Sequence, residues 1–240
     1  MTLALVAAIV LLVFLIRAIF GFGDALAGMP LLVLLIGVHQ AAPLMAMLAL
    51  VMAAMILLKN LKTVRWDFSL RLIFPALAGI PVGLYYLTLI DERIVNAVLA
   101  AFIIIFSAAR LVKTIRQINP PGLVTAAVGF VSGVLGGAYN TSGPPVIMFL
   151  SAKGMSPQAF RSTLQSFFFS TGAAIVAGHA LWGNITTDVL NYFWVGLPAV
   201  IIAFVAGENL LHRFDANRFY RWVYLLLIAI GAALLIKALY

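Results

Sequence analysis

Cysteine is absent from the 240 residues. Disulfides, thiolate catalysis, iron–sulfur clusters and cysteine-held zinc are excluded with it, and no redox compartment can be read. Charge is nearly as scarce: fifteen Lys and Arg and seven Asp and Glu make up 9% of the chain. An average soluble domain is about 25% charged, and so few charged side chains cannot coat a water-facing surface. Long polar stretches are missing too. The longest, Glu208 to Arg221, has no room for a soluble domain. Large extramembrane enzymes, nucleotide-binding domains and receptor ectodomains are therefore excluded within this sequence. The three histidines, His39, His179 and His212, lie near segment ends in separate loops, and no pair has metal-ligand spacing. They read as loop histidines, and neither a metal nor a cofactor is expected.

What the chain has is hydrophobic residues, 65% of the total. A spanning helix needs about 20 residues, so about eight helical elements use up the whole length. The composition predicts an all-α, polytopic membrane protein. The net charge of +8 invites a nucleic-acid reading, but no basic run is longer than a loop and no soluble face exists to carry a groove. The excess fits the bias of Lys and Arg toward cytoplasmic loops. No Lys or Arg precedes the first apolar run and Arg17 follows it, so that run does not read as a signal peptide.

Apolar blocks cover 3–38 and roughly 42–58, 69–89, 94–112, 123–151, 157–178, 187–206 and 220–239. The first is broken at Gly21-Phe22-Gly23-Asp24 and the fifth at Gly136 to Pro145. Each broken block is expected to hold a long helix, a glycine-rich break and a short helix of about nine residues, which rises only ~14 Å. Lys59, Lys62, Arg65 and Arg71 place the 59–71 loop in the cytoplasm, as do Arg110, Lys113 and Arg116 for the loop two spans later. Asp91-Glu92-Arg93 falls outside. If the broken 123–151 block enters and returns on one side, Lys153 and the Arg213, Arg218, Arg221 loop both fall inside. Treating both breaks as re-entrant puts the N- and C-termini outside.

An internal repeat supports this reading. At an offset of 115, Gly21 meets Gly136, Gly28 meets Gly143, Pro30 meets Pro145 and Leu35 meets Leu150. Gly79-Ile80-Pro81 pairs with Gly196-Leu197-Pro198 further on. Two halves follow, 1–116 and 117–240, together one transport domain. Each has a broken, re-entrant helix pair plus three transmembrane helices. Three spans is an odd number, so the second half is inverted. Inverted repeats with paired broken helices are a signature of secondary transporters, with the site at the breaks.

Both breaks, with the Phe160-Arg161-Ser162-Thr163-Leu164-Gln165 segment that follows the second, resemble the sulfite exporter TauE/SafE family, also called the 4-toluene sulfonate uptake permease family. The resemblance covers essentially the whole chain. It implies a carrier of small, often sulfur-containing anions such as sulfite or organosulfonates, multi-pass in a bacterial or archaeal inner membrane. Many members carry a fuller Gly-Gly-Gly run. Here Phe22 and Asp24 stand in the first break and Ala138-Tyr139-Asn140 in the second, at positions suited to facing a ligand.

The residues themselves point to anion chemistry. Glycine permits strained backbone and close approach to a ligand, and irregular backbone at membrane depth survives only against protein or a watery cavity. Gly21, Gly23, Gly136, Gly137 and Gly143 are therefore candidate contacts. Pro30 and Pro144-Pro145 suit the first turn of a short helix, with Ser142 as N-cap. Each short helix would then aim its positive end at a break; simple packing kinks are the alternative.

Arg161, five residues into its span, reads either as a ligand-binding arginine or as one reaching back to the cytoplasmic end. Gln165 lies one turn deeper on the same face. Arg17 either faces the anion or pairs with Asp24. Asp24 is the only acid placed well inside the membrane, with three candidate roles: cap, counter-ion to Arg17, or proton carrier. Tyr139, Asn140 and Thr141 offer neutral hydrogen bonds to an oxyanion or to freed backbone. Glu208 is expected to pair with Arg213 or Arg221, and the Phe167-Phe168-Phe169 run to face lipid or pack.

The function expected is secondary transport, as an exporter, by alternating access, with the anion held at the two breaks. An anion channel or an uptake permease for a related oxyanion is the alternative. Small anion and lipid are the expected partners, protons a candidate coupling ion, and a homodimer a compatible assembly; nucleic acid is not expected. A membrane-embedded enzyme finds no support, because metalloprotease, nucleophile-elbow and phosphate-loop motifs are all missing. A structural subunit would not account for duplicated glycine breaks.

Overall fold

The computed structural model describes residues 2–86, 92–112, 121–139, 142–211 and 215–239. All regular structure among them is helical: α1 (Thr2–Phe20), α2 (Asp24–Ile36), α3 (Val38–Lys59), α4 (Trp66–Tyr86), α5 (Glu92–Val112), α6 (Gly122–Tyr139), α7 (Gly143–Ser151), α8 (Pro157–Leu181), α9 (Thr187–Leu211) and α10 (Ala216–Leu239). Each apolar block of the sequence became one helix, and each broken block became two. In hydrocarbon every backbone N–H and C=O must be satisfied within the segment, so a long apolar run has little choice but helix. By length and composition, five helices among the described residues can cross a membrane: Thr2–Phe20, His39–Lys59, Pro157–Leu181, Thr187–Leu211 and Asn217–Ile236. Large apolar side chains such as Leu34, Phe74, Ile105 and Leu123 stand exposed on the helices, as lipid-facing residues must. The protein is a polytopic, multi-pass integral membrane protein.

Two boundaries differ from the sequence reading. α2 has 13 residues and not about nine, because the chain re-enters helix at Asp24, directly after Gly23. Pro30 consequently lies within the second turn of α2 and not in its first. α2 and α3 are joined by a single residue, Gly37, at φ 78°, so α3 starts before the expected block and takes Pro43 into its interior. The second short helix, α7, has 9 residues with its prolines in the first turn, as expected.

The chain divides into two compact units, and each takes segments from both sequence halves. Unit 1 comprises Met1–Val64 and Arg161–Phe214. In it α1 packs along α9, α9 against α3, and α2 against α1 and α3. Gly207 lies against Ala18, and Gly196 meets Val10 and Leu48, so α1 and α9 run parallel. The core repeats every three or four residues: Val6, Val10 and Val13 on α1, and Leu44, Leu48, Met52 and Ile56 on α3.

Unit 2 comprises Arg65–Phe160 and Asp215–Tyr240. Here α4 packs along α6, and α5 along α10. The α4–α6 contact is a glycine seam. Gly129 abuts the Leu72 carbonyl, Gly133 the Ala76 carbonyl, and Gly79 the Phe130 carbonyl. Gly129 and Gly133 are four apart on one face, the small-residue spacing that lets helices approach closely in lipid, where packing and not hydrophobicity drives association. The rising register, Leu72 with Gly129 and Ala76 with Gly133, makes α4 and α6 parallel. By chain order α6 is the counterpart of α1 and α9 of α4, so each unit pairs the first helix of one half with the fourth of the other.

Candidate functional site

The buried charge of unit 1 gathers where α1 breaks. Arg17 lies in the last turn of α1. The backbone N–H of Gly21 closes that turn onto the Arg17 carbonyl at 2.6 Å, and Gly21 then reverses the chain with φ +87°. Gly23 also takes a left-handed conformation, at φ +107°, where a side chain would be strained. The chain thereby turns within three residues and sets Asp24 in the first turn of α2. Arg17 Nη1 donates to Asp24 Oδ2 at 2.6 Å, with both side chains buried. Of Asp24's three candidate roles, counter-ion to Arg17 is the one the geometry displays. Its carboxylate also stands in the first turn of α2, where it complements the positive end of that helix.

α8 supplies the second set. Gln165 joins it to the break: its Nε2 donates to the Gly21 carbonyl at 2.5 Å, and its Oε1 accepts from Arg17 Nη2 at 3.0 Å. Both ends of the amide are used, which fixes its orientation. Phe168, two residues after Ser166 on the same helix, lies beneath the Arg17 guanidinium, 5.4 Å from Cζ to the ring centroid. The triple-phenylalanine run is thus divided among three environments. Phe167 is fully buried, Phe168 faces Arg17 and Phe169 is exposed.

Among the described residues Arg161 is the most deeply buried cation, 1% exposed. Its guanidinium is enclosed by protein and does not reach solvent. Its stem packs on the break, with Cγ 2.9 Å from where a Cβ on Gly21 would stand. Arg161 Nη2 donates to Glu208 Oε1. Nε and Nη1, both buried, have no hydrogen-bond partner among the described residues. Three N–H donors are thus left over, and an unmet buried donor is costly unless something accepts from it.

Glu208 departs from one expectation. It is 4% exposed, and its partners among the described residues are Arg161 and Lys59, not Arg221; Arg213 lies outside the described residues. Lys59 Nζ lies 2.9 Å from Glu208 Oε2. In the sequence Lys59 carries only a topology signal, and no local pattern links it to Glu208. The ion-paired cluster formed by these contacts holds three cations, Arg17, Arg161 and Lys59, against two carboxylates, Asp24 and Glu208. One positive charge is left over, beside unmet N–H donors.

The second break lies in unit 2. Gly136 approaches Ser142 closely, 3.0 Å from the position of an added Cβ to the Ser142 Cβ. Ser142 occupies the N-cap position of α7, but its hydroxyl makes no capping bond because its backbone is helical, φ −77°, and not extended as a capping residue requires. Gly143 opens α7, and Gly137 and Tyr139 end α6. The Tyr139 side chain, Asn140 and Thr141 lie outside the described residues. α7 is anchored at its other end, where Tyr224 donates to the Ser151 carbonyl at 3.4 Å. Lys153, expected on the cytoplasmic side, is buried with its ammonium 4.2 Å from the Phe68 ring and 5.0 Å from that of Phe149.

The sequence model of a family described as sulfite exporter TauE/SafE matches residues 6–234. A curated relative from Cupriavidus necator, described as a probable sulfite/organosulfonate exporter TauE, is 26% identical over 225 residues, which cover 92% of this chain and 88% of its own. No solved structure matches.

Proposed function

The chain belongs to the sulfite exporter TauE/SafE family, and from that premise we propose that it exports sulfite or a related small organosulfonate, with the Arg161 guanidinium as the principal anion contact. It is a membrane transporter of small sulfur-containing anions and not an enzyme. The observation that carries the finer reading is the burial of Arg161 with Nε and Nη1 unmet. An oxyanion accepts charge-assisted hydrogen bonds from a guanidinium, and here Nε and Nη1 are each held without an acceptor. Gln165 and Arg17 are assigned the next positions, since they are bonded to each other and to the break. Asp24 holds Arg17 and keeps the local excess at one positive charge.

The break in unit 2 carries its own neutral candidate contacts for an oxyanion: Tyr139, Asn140, Thr141 and Ser142, with Gly136, Gly137 and Gly143. Export gains from an inside-negative potential, about 2.3 kcal/mol per negative charge at 100 mV, so no coupling ion is required for outward movement. Alternating access by two inverted halves, 1–116 and 117–240, is the proposed mechanism. Its support is that α1 pairs with α9 in one unit and their counterparts α6 and α4 pair in the other.

The test is sulfite efflux from proteoliposomes of purified protein. Saturable efflux is expected in the wild type and its loss in Arg161→Ala. Arg161→Ala/Glu208→Ala, which removes both buried charges of the pair, controls for folding. A folded Arg161→Ala protein with unchanged saturable efflux would overturn the assignment.

A further inference from the structure

Glu208 has no place in the scheme above beyond balancing charge, yet its position is peculiar. One oxygen accepts from Arg161, 1% exposed, and the other pairs at 2.9 Å with Lys59, whose side chain is 51% exposed. A single carboxylate thus bridges a sealed guanidinium and an ammonium that reaches solvent. Lys59 also lies 5.6 Å from the Phe204 ring centroid. Phe204 is one helical turn before Glu208, on the same face of α9, so the ammonium is kept beside the carboxylate. The α9 backbone is fixed at this level by the close approach of Gly207 to Ala18. Movement of the carboxylate is left to the side chain.

We propose that Glu208 is a tethered competitor for the transported anion: it occupies Arg161 while the site is empty, gives way when sulfite arrives, and is then retained by Lys59 alone. The inference rests on Arg161 being the anion contact. A carboxylate and a sulfur oxyanion make the same kind of bond to a guanidinium, and both cannot use Arg161 Nη2 fully at once. The exchange conserves charge. Before it, Glu208 neutralises Arg161; after it, the anion does, and Glu208 keeps a cation of its own. An arginine this deeply buried is never left without a counter-charge, which would be the costly state. Sulfite affinity is therefore set by competition, and the intramolecular anion keeps it low enough for release.

The two partners of Glu208 give signatures of opposite sign. Sulfite binding to the purified full-length protein is titrated for wild type, Glu208→Gln, Lys59→Gln and Arg161→Ala. Glu208→Gln removes the competing charge at constant shape and should tighten sulfite binding about tenfold, the size of one charge-assisted hydrogen bond. Lys59→Gln removes the alternative partner, leaves Glu208 on Arg161 and should weaken binding several-fold. Glu208→Asp keeps the competing charge and should stay near wild type. A purely structural carboxylate would shift both glutamine variants in the same direction, by loosening one site, and that result overturns the proposal. So does unchanged binding in Glu208→Gln when Arg161→Ala abolishes it, an outcome that leaves the anion contact standing. Unchanged binding in Arg161→Ala defeats the anion contact itself. If Glu208→Gln does not fold, Glu208→Ala takes its place: tighter sulfite binding supports the competitor, and weaker or unaltered binding overturns it.

Discussion

Gly21 lies against the aliphatic stem of Arg161, with room for no side chain between them. A Cβ at Gly21 would stand 2.9 Å from Arg161 Cγ and 3.3 Å from Gln165 Nε2, and the backbone there is at φ +87°. Gly21→Ala therefore meets two penalties. The left-handed conformation costs an L-residue roughly 1–2 kcal/mol, and the methyl group pushes on Arg161, the proposed anion contact. Reduced thermal stability in detergent and a raised KM for sulfite efflux are expected together. Lost stability with an unaltered KM would mean that the Arg161 stem yields without moving its guanidinium.

The Arg17–Asp24 pair is buried on both sides. Asp24→Asn leaves Arg17 uncompensated, and breaking one side of a buried ion pair costs roughly 3–5 kcal/mol. The double variant Arg17→Gln/Asp24→Asn removes the stranded charge and should recover much of that loss. If Asp24 acts as a counter-ion, any response of efflux to an imposed pH gradient should survive in Asp24→Asn protein that has folded. Loss of that response in the variant would instead identify Asp24 as a proton carrier.

Arg17 with Asp24 was legible because the two residues are only seven apart, across one break. Arg161 with Gln165 was legible because helical spacing puts i and i+4 on one face. The Arg161–Glu208 and Lys59–Glu208 pairs were not. They require α3, α8 and α9 to stand side by side, and no local pattern states which helices neighbour one another. The ten-helix order was readable because a bilayer forces each apolar run into helix. The start of α2 was not, since Pro30 suggested a first turn where the chain had already re-entered helix at Asp24. Phe168 was hidden for a similar reason: only the tertiary position of Arg17 distinguishes it from the phenylalanines on either side.

The glycine seam of unit 2 predicts a sharp size limit. Gly133 abuts the Ala76 backbone and Gly129 that of Leu72, so neither can accept even a methyl group unless α4 and α6 move apart. Overpacking of this kind costs typically 1–3 kcal/mol, and more where backbone must shift. Gly133→Ala should lower the temperature of unfolding in detergent, and Gly133→Leu should prevent a monodisperse preparation. Gly183, with nothing within 4 Å of an added Cβ but a φ of +69°, is the control: Gly183→Ala should show backbone strain alone and a smaller effect.

Membrane orientation can be tested directly, because the native sequence has no cysteine and every introduced thiol reports one position. Lys62 and Asn184 are both exposed, the first after α3 and the second between α8 and α9. By the bias of Lys and Arg toward cytoplasmic loops, Lys62 is expected in the cytoplasm. α1 and α9 run parallel within unit 1, and α9 follows Asn184, so Asn184 shares a side with the N-terminal end of α1. Lys59 at the end of α3 pairs with Glu208 near the end of α9, which puts the α9 C-terminal end on the side of Lys62. Asn184, beyond the opposite end of α9, must then face outward. Lys62→Cys should react with an impermeant maleimide only in inverted membrane vesicles, and Asn184→Cys in intact cells. Labelling of both from one side would show that α9 does not cross the bilayer, and the re-entrant reading of the first broken block would fall with it. Labelling from opposite sides but in the reverse sense would keep the helix packing and invert the charge rule for this protein.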